Sequence, residues 1–199
     1  MVPSYRIWWW AAFGVSLVPL AVLFGRLVFG HLGPDPAEPV TRATGLAALQ
    51  WLLITLAMTP LRKWTGRPEW LRLRRMFGLF AFFYACLHLA AYLHLIAGWQ
   101  DLWVSFTQRP YIIAGMAAFL MLLPLALTST RSAMRRLGHR WKLLHRLIYP
   151  AAIVAWVHYL WQARADIGDM VLYGVVLAIM LGARLLVWVG AKMRTMNRV

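Results

Sequence analysis

The sequence predicts an all-α membrane protein, a bundle of six transmembrane helices with both termini on the cytoplasmic side. Three observations carry this. The chain has 199 residues and is 62% hydrophobic, against roughly 45–50% in a soluble domain. Its apolar residues fall into six blocks, each close to the roughly 20 residues that a helix needs to cross the hydrocarbon layer. Positive charge is gathered almost wholly into one set of connections.

The first span is expected at residues 8–29. No small-residue cleavage site stands out after it, so it reads as a retained helix rather than a signal peptide. Residues 30–42, "GHLGPDPAEPVTR", form a polar, proline-rich outer connection to the second span, 43–60. A basic inner loop follows, 61–75, "LRKWTGRPEWLRLRR". The third span, 76–98, leads to an outer segment, 99–109, whose Trp99, Trp103 and Phe106 suit the headgroup zone. The fourth span, 110–127, returns the chain to a second basic inner loop, "TSTRSAMRRLGHRWK". The fifth span, 143–162, and the sixth, 168–190, are joined by a very short outer turn. Short alternating segments of the β-barrel kind are absent. No internal repeat stands out, and the whole chain, 1–199, is expected to form a single transmembrane domain.

Sixteen Lys and Arg residues fall at the termini and in the inner loops, whereas only Arg42, Arg109 and Arg164 fall on the other side. Five of the six acids also lie on that other side. Basic residues accumulate in cytoplasmic loops, which sets the orientation. The net charge of +15 is thereby accounted for by topology, and nucleic-acid binding is not expected. Arg26 and Arg184 fall inside spans and are read as snorkelling to their nearest interface, with a role at a buried anion as the alternative. Cys86 is the single cysteine and is read as a packing residue.

No loop is large enough for a catalytic domain, and neither a dinucleotide fingerprint nor a P-loop is present. Any chemistry must therefore use the helices or groups held between them. His31 and His139 fall in loops and read as solvated. Counting 1.5 Å per residue, His88 is roughly 18 Å into the third span and His158 about 22 Å into the fifth, both running outward. Two histidines at matching depth on parallel-running helices can clamp one haem iron from both faces. A buried histidine can also simply hydrogen-bond a neighbouring helix. His94 is turned about 120° from His88 and cannot share a haem on the same face. His145 lies about 19.5 Å inward of His158. That depth suits a second haem, but the third span has no inner histidine and the ideal-helix phase is poor unless Pro150 kinks the chain. A quinone or flavin contact, or a plain interfacial position, remains open for His145. Arg74, Arg75, Arg135 and Arg136 gather with it at the inner face.

Four stretches resemble the ferric-reductase-like transmembrane family and, within it, the MsrQ (YedZ) family. They are "RRMFGLFAFFYACLHLAAY", "TQRPYIIAG", "ALTSTRSAMRRLGHRWKLLHRLIY" and "AWVHYLW". The resemblance covers nearly the whole chain. It implies a b-type haem protein of the bacterial inner membrane, with His88, His145 and His158 matching the family's haem-associated histidines. It further implies electron delivery to a periplasmic molybdopterin subunit that reduces methionine sulfoxide in damaged proteins. The quinone pool, flavin mononucleotide (FMN) or a cytosolic flavin reductase would act upstream. The family's wider two-haem pattern and its appended FAD/NADPH domain are not matched here. A small transporter and a structural anchor for a partner enzyme are the alternatives, although the spans lack acids and matched helix breaks.

Overall fold

The computed structural model describes residues 3–98, 108–162 and 167–196. Trp99, Trp103, Phe106 and Arg164 lie outside them. Among the described residues every regular element is helical. Six stretches are long and apolar enough to cross a membrane. α1 is Pro3–Val28, α2 Ala37–Thr65 and α3 Glu69–Ala91, the last continued by a π-helical turn over Tyr92–Ala97. α4 is Pro110–Leu127. The fifth span is assembled from α6, His139–Leu144, a 3-10 turn at His145–Leu147, and α7, Ile148–Leu160, after the short α5 at Arg131–Leu137. α8 is Gly168–Met196.

Two helix pairs organise the bundle: α2 packs most extensively on α3, and α4 on α7. Helices in lipid associate through close packing and small residues, because the surrounding tails are as apolar as the helices themselves. The interior follows this rule. Ala47, Ala81, Ala151 and Ala152 are buried, alongside Leu52, Leu56 and the Trp51 ring stacked on Phe77 at 5.1 Å. Large side chains such as Phe24, Leu120 and Leu172 face outward as a lipid surface.

Prolines inside the helices leave carbonyls without their usual partners, and one such opening is answered by a side chain from another span. Pro60 supplies no N–H to the carbonyl of Leu56, and Arg184 Nη2 on α8 donates to that oxygen instead. The Tyr84 hydroxyl on α3 enters the backbone of α1 beside Pro19. It donates to the Ser16 carbonyl at 2.8 Å and accepts from Leu20 N at 3.2 Å. Tyr84 is buried and ties the first span to the third.

Arg184 therefore departs from the snorkelling expected of it. Its guanidinium turns into the bundle, 5.1 Å over the Tyr149 ring, and its Nε and Nη1 are buried without hydrogen-bond partners. Arg26 is exposed on α1.

The fifth span corrects the ideal-helix phase computed for His145. Pro150 sits in the first turn of α7, where its missing N–H costs nothing. The break falls just before it, in the 3-10 turn that contains His145.

Candidate haem-binding site

His88 on α3 and His158 on α7 bring their rings together inside the bundle. Their ring centroids are 6.0 Å apart and their planes are inclined by 73°. Each ring is anchored in the same way. His88 Nδ1 lies 2.9 Å from the Thr41 carbonyl on α2, and His158 Nδ1 lies 2.6 Å from the Tyr111 carbonyl on α4. A carbonyl only accepts, so each Nδ1 must carry the proton. The neutral ring then presents a lone pair at Nε2, the arrangement a metal-bound imidazole uses.

A glycine backs each ring. A Cβ on Gly45 would stand 2.8 Å from His88 Nδ1, and one on Gly115 would stand 2.7 Å from His158 Cε1. No side chain fits in either place, so the helices can come close enough for a backbone carbonyl to reach the imidazole.

These environments recur with a constant offset. Thr41 and Tyr111, Gly45 and Gly115, and His88 and His158 are each separated by 70 residues. The flanking sequences agree: "GLAALQWLL" from Gly45 matches "GMAAFLMLL" from Gly115, and "AFFYACLH" ending at His88 matches "AAIVAWVH" ending at His158. The chain thus has an internal repeat of two helix pairs, contrary to the expectation from the sequence.

The separation of the rings fits an iron between them. A metal–imidazole bond of about 2.0 Å, added to roughly 1.1 Å from ring nitrogen to ring centre, sets trans imidazoles about 6 Å apart by centroid. His158 Nε2 meets the Gln162 side-chain amide at 3.1 Å.

The remaining candidates are distributed differently. His94 is exposed in the π-helical turn, with Nδ1 at 3.0 Å from the Ala90 carbonyl, and it is not part of the facing pair. His145 stacks on Trp141 at 3.8 Å, with Nδ1 at 3.1 Å from the Trp141 carbonyl and a buried Nε2 that has no partner. Arg74 is half-buried, reaches Thr59 Oγ1 at 3.5 Å, and is a charged neighbour of both His145 and Arg184. Arg75, Arg135 and Arg136 are exposed. The structure thus gathers His145, Arg74 and Arg184 at the inner end, adding Arg184 to the residues expected there. Thr41, Gly45, Tyr111 and Gly115 were also missed. The signal that could have found them is the repeated glycine four residues after the carbonyl that holds each ring.

The chain is similar to known membrane proteins. The family described as "Ferric reductase like transmembrane component" matches residues 44–156, which contain most of both helix pairs, including His88, but neither Thr41 nor His158. A protein of Xanthomonas euvesicatoria pv. vesicatoria (strain 85-10) is 48% identical over 191 residues, covering 92% of this chain and 88% of its own. One of Rhodospirillum rubrum is 46% identical over 178 residues, covering 88% and 86% respectively. Both bear the name protein-methionine-sulfoxide reductase heme-binding subunit MsrQ. With identity near one half across most of both lengths, the chain belongs to the MsrQ family of ferric-reductase-like membrane proteins.

Proposed function

We propose that this chain is a b-type haem electron-transfer subunit of a bacterial inner membrane, with both termini in the cytoplasm. It carries electrons from a quinol or flavin donor to a periplasmic molybdopterin-containing methionine-sulfoxide reductase, which repairs oxidised proteins. It has no substrate chemistry of its own.

The observation that carries the reading is the facing pair His88 and His158, each fixed at Nδ1 by a carbonyl and spaced for one iron. Haem bound there would supply one-electron chemistry. The protein's part is to fix the tautomer and aim of both imidazoles through Thr41 and Tyr111, and to surround the site with apolar helix. Gln162, which meets His158 Nε2 at 3.1 Å, would have to release that nitrogen for His158 to serve as a haem ligand. At the inner end, His145, Arg74, Arg75 and Arg184 form the electron-uptake region, where positive charge favours an anionic or electron-rich carrier such as FMN or quinone. A second haem there has only His145 as a histidine ligand, so one haem is the stoichiometry we propose.

A reduced-minus-oxidised visible spectrum of the purified protein tests the haem directly; absence of b-type bands overturns the reading. Destination is tested separately. Haem reduced with dithionite should be reoxidised when the periplasmic reductase and a methionine-sulfoxide substrate are both added. Haem that stays reduced beside a reductase active with artificial dyes would refute the proposed acceptor.

A further inference from the structure

We propose that the outward rim of the histidine pair is a carboxylate-binding site that holds the haem propionates, with Arg109 and Tyr92 as its principal donors. The proposal rests on the haem reading above and goes on to fix which edge of the group points outward.

One helical turn outward from His88 on the same face is Tyr92, and one turn outward from His158 is Gln162. The Tyr92 hydroxyl is buried and lies within reach of the Arg109 guanidinium, which interacts with it both by charge and as a hydrogen-bond donor. Arg109, at the start of α4, donates through Nη1 to the Tyr111 hydroxyl at 3.5 Å. The backbone of the same Tyr111 holds His158, and its ring lies 6.2 Å from that imidazole by centroid. Thr41, whose carbonyl holds His88, has a buried hydroxyl without a partner. The rim therefore offers a guanidinium, two phenols, an aliphatic hydroxyl and an amide, and none of these five side chains is acidic.

Inward, three residues before the histidines are Ala85 and Ala155, and four residues before them are Val154 and Tyr84, whose hydroxyl is already bonded to the α1 backbone. A group seated between the imidazoles thus meets side chains without a free donor on its inward edge and hydrogen-bond donors on its outward edge. The buried Thr41 hydroxyl has no partner, and a carboxylate at the rim would supply an acceptor for it. Guanidinium also binds carboxylate with two parallel N–H bonds. Haem has one apolar edge and one edge with two carboxylates, which matches this polarity. Gln162, displaced from His158 Nε2 by iron, becomes a further amide donor at the same rim.

The test uses the full-length, haem-loaded protein as wild type, Arg109→Gln, Arg109→Lys and Tyr92→Phe. Resonance Raman propionate-bending bands and the haem midpoint potential are the readouts. In Arg109→Gln and Tyr92→Phe the propionate bands should shift while the low-spin ligand bands stay in place. The midpoint potential should fall in Arg109→Gln, because a lost positive charge disfavours the reduced state. Arg109→Lys should restore most of the potential. Unchanged propionate bands in haem-replete Tyr92→Phe and Arg109→Lys, together with an unchanged potential in Arg109→Gln, would overturn the proposal. If Arg109→Gln does not retain haem, the Tyr92→Phe bands decide alone. A low-spin spectrum that survives both His88→Ala and His158→Ala would instead refute the haem reading beneath it.

Discussion

His88 and His158 occupy equivalent places in a repeated unit. Each donates Nδ1–H to a carbonyl 47 residues earlier, and their rings meet 6.0 Å apart by centroid. A haem between them would lie on the boundary of two similar halves, with each half supplying one axial ligand, one orienting carbonyl and one glycine. Such symmetry makes the two histidines equally necessary. Replacing either by alanine should abolish a six-coordinate low-spin spectrum, whereas His94→Ala should keep it. Retention of that spectrum in His88→Ala would disprove the ligand assignment.

The angle between the rings makes a second prediction. At 73° the two imidazole planes are nearly crossed. Crossed planes give the iron no common direction for π overlap, so its two highest filled d levels stay close in energy. Electron paramagnetic resonance of the oxidised protein should show a highly anisotropic low-spin signal. A rhombic signal of ordinary spread, typical of parallel imidazoles, would mean that one ring rotates on binding.

Gly45 and Gly115 should be intolerant of even one methyl group. A Cβ at 2.7–2.8 Å from an imidazole atom has to displace the ring or the helix, at about 1–3 kcal/mol for overpacking. Gly45→Ala and Gly115→Ala are each expected to lower haem per protein and to perturb the low-spin bands. Gly14→Ala, with open space around its Cβ, should match wild type. Wild-type haem content and spectra in both site variants would remove the close-approach argument.

Much of this architecture was legible because lipid forces a coarse signal. The apolar blocks predicted six spans, and the fourth, 110–127, coincides with α4. Helix ends were less legible. α2 runs on through Arg62–Thr65 and α3 begins at Glu69, because a helix can continue past the hydrocarbon into polar surroundings where the apolar pattern stops. The site was legible as a pair of histidines at one depth, since rise per residue is nearly constant. Its second layer was not, because Thr41 and Tyr111 act through backbone carbonyls, which any residue type supplies. The repeat was hidden because only inward-facing positions recur, among lipid-facing residues that are free to vary.

Orientation can be checked independently of haem. The split of sixteen positive residues against three predicts cytoplasmic termini. Reporter fusions after residues 36 and 104 should report the periplasm, and those after 66 and 136 the cytoplasm. The reverse pattern would invert inner and outer ends throughout and turn the His145 cluster toward the periplasm.

Arg184 offers the sharpest separation of stability from function. Its Nη2 serves the Leu56 carbonyl left open by Pro60, while Nε and Nη1 are buried and unsatisfied. Each unsatisfied group costs about 1–3 kcal/mol, and Arg74 adds a second positive charge nearby. A residue kept only for packing would not carry two such penalties to mend one carbonyl. Replacement by methionine removes both orphaned donors and the buried charge, at the expense of one unpaired acceptor and the cation–π contact with Tyr149. Arg184→Met should therefore be at least as stable as wild type in thermal unfolding. If the guanidinium instead serves an electron carrier at the inner end, the same variant should reduce its haem more slowly with the physiological donor, while dithionite reduction is unaffected. His145→Ala should slow the same step, because its buried Nε2 is also unpartnered. Wild-type reduction rates in both variants, with haem content preserved, would assign the cluster to packing and topology alone.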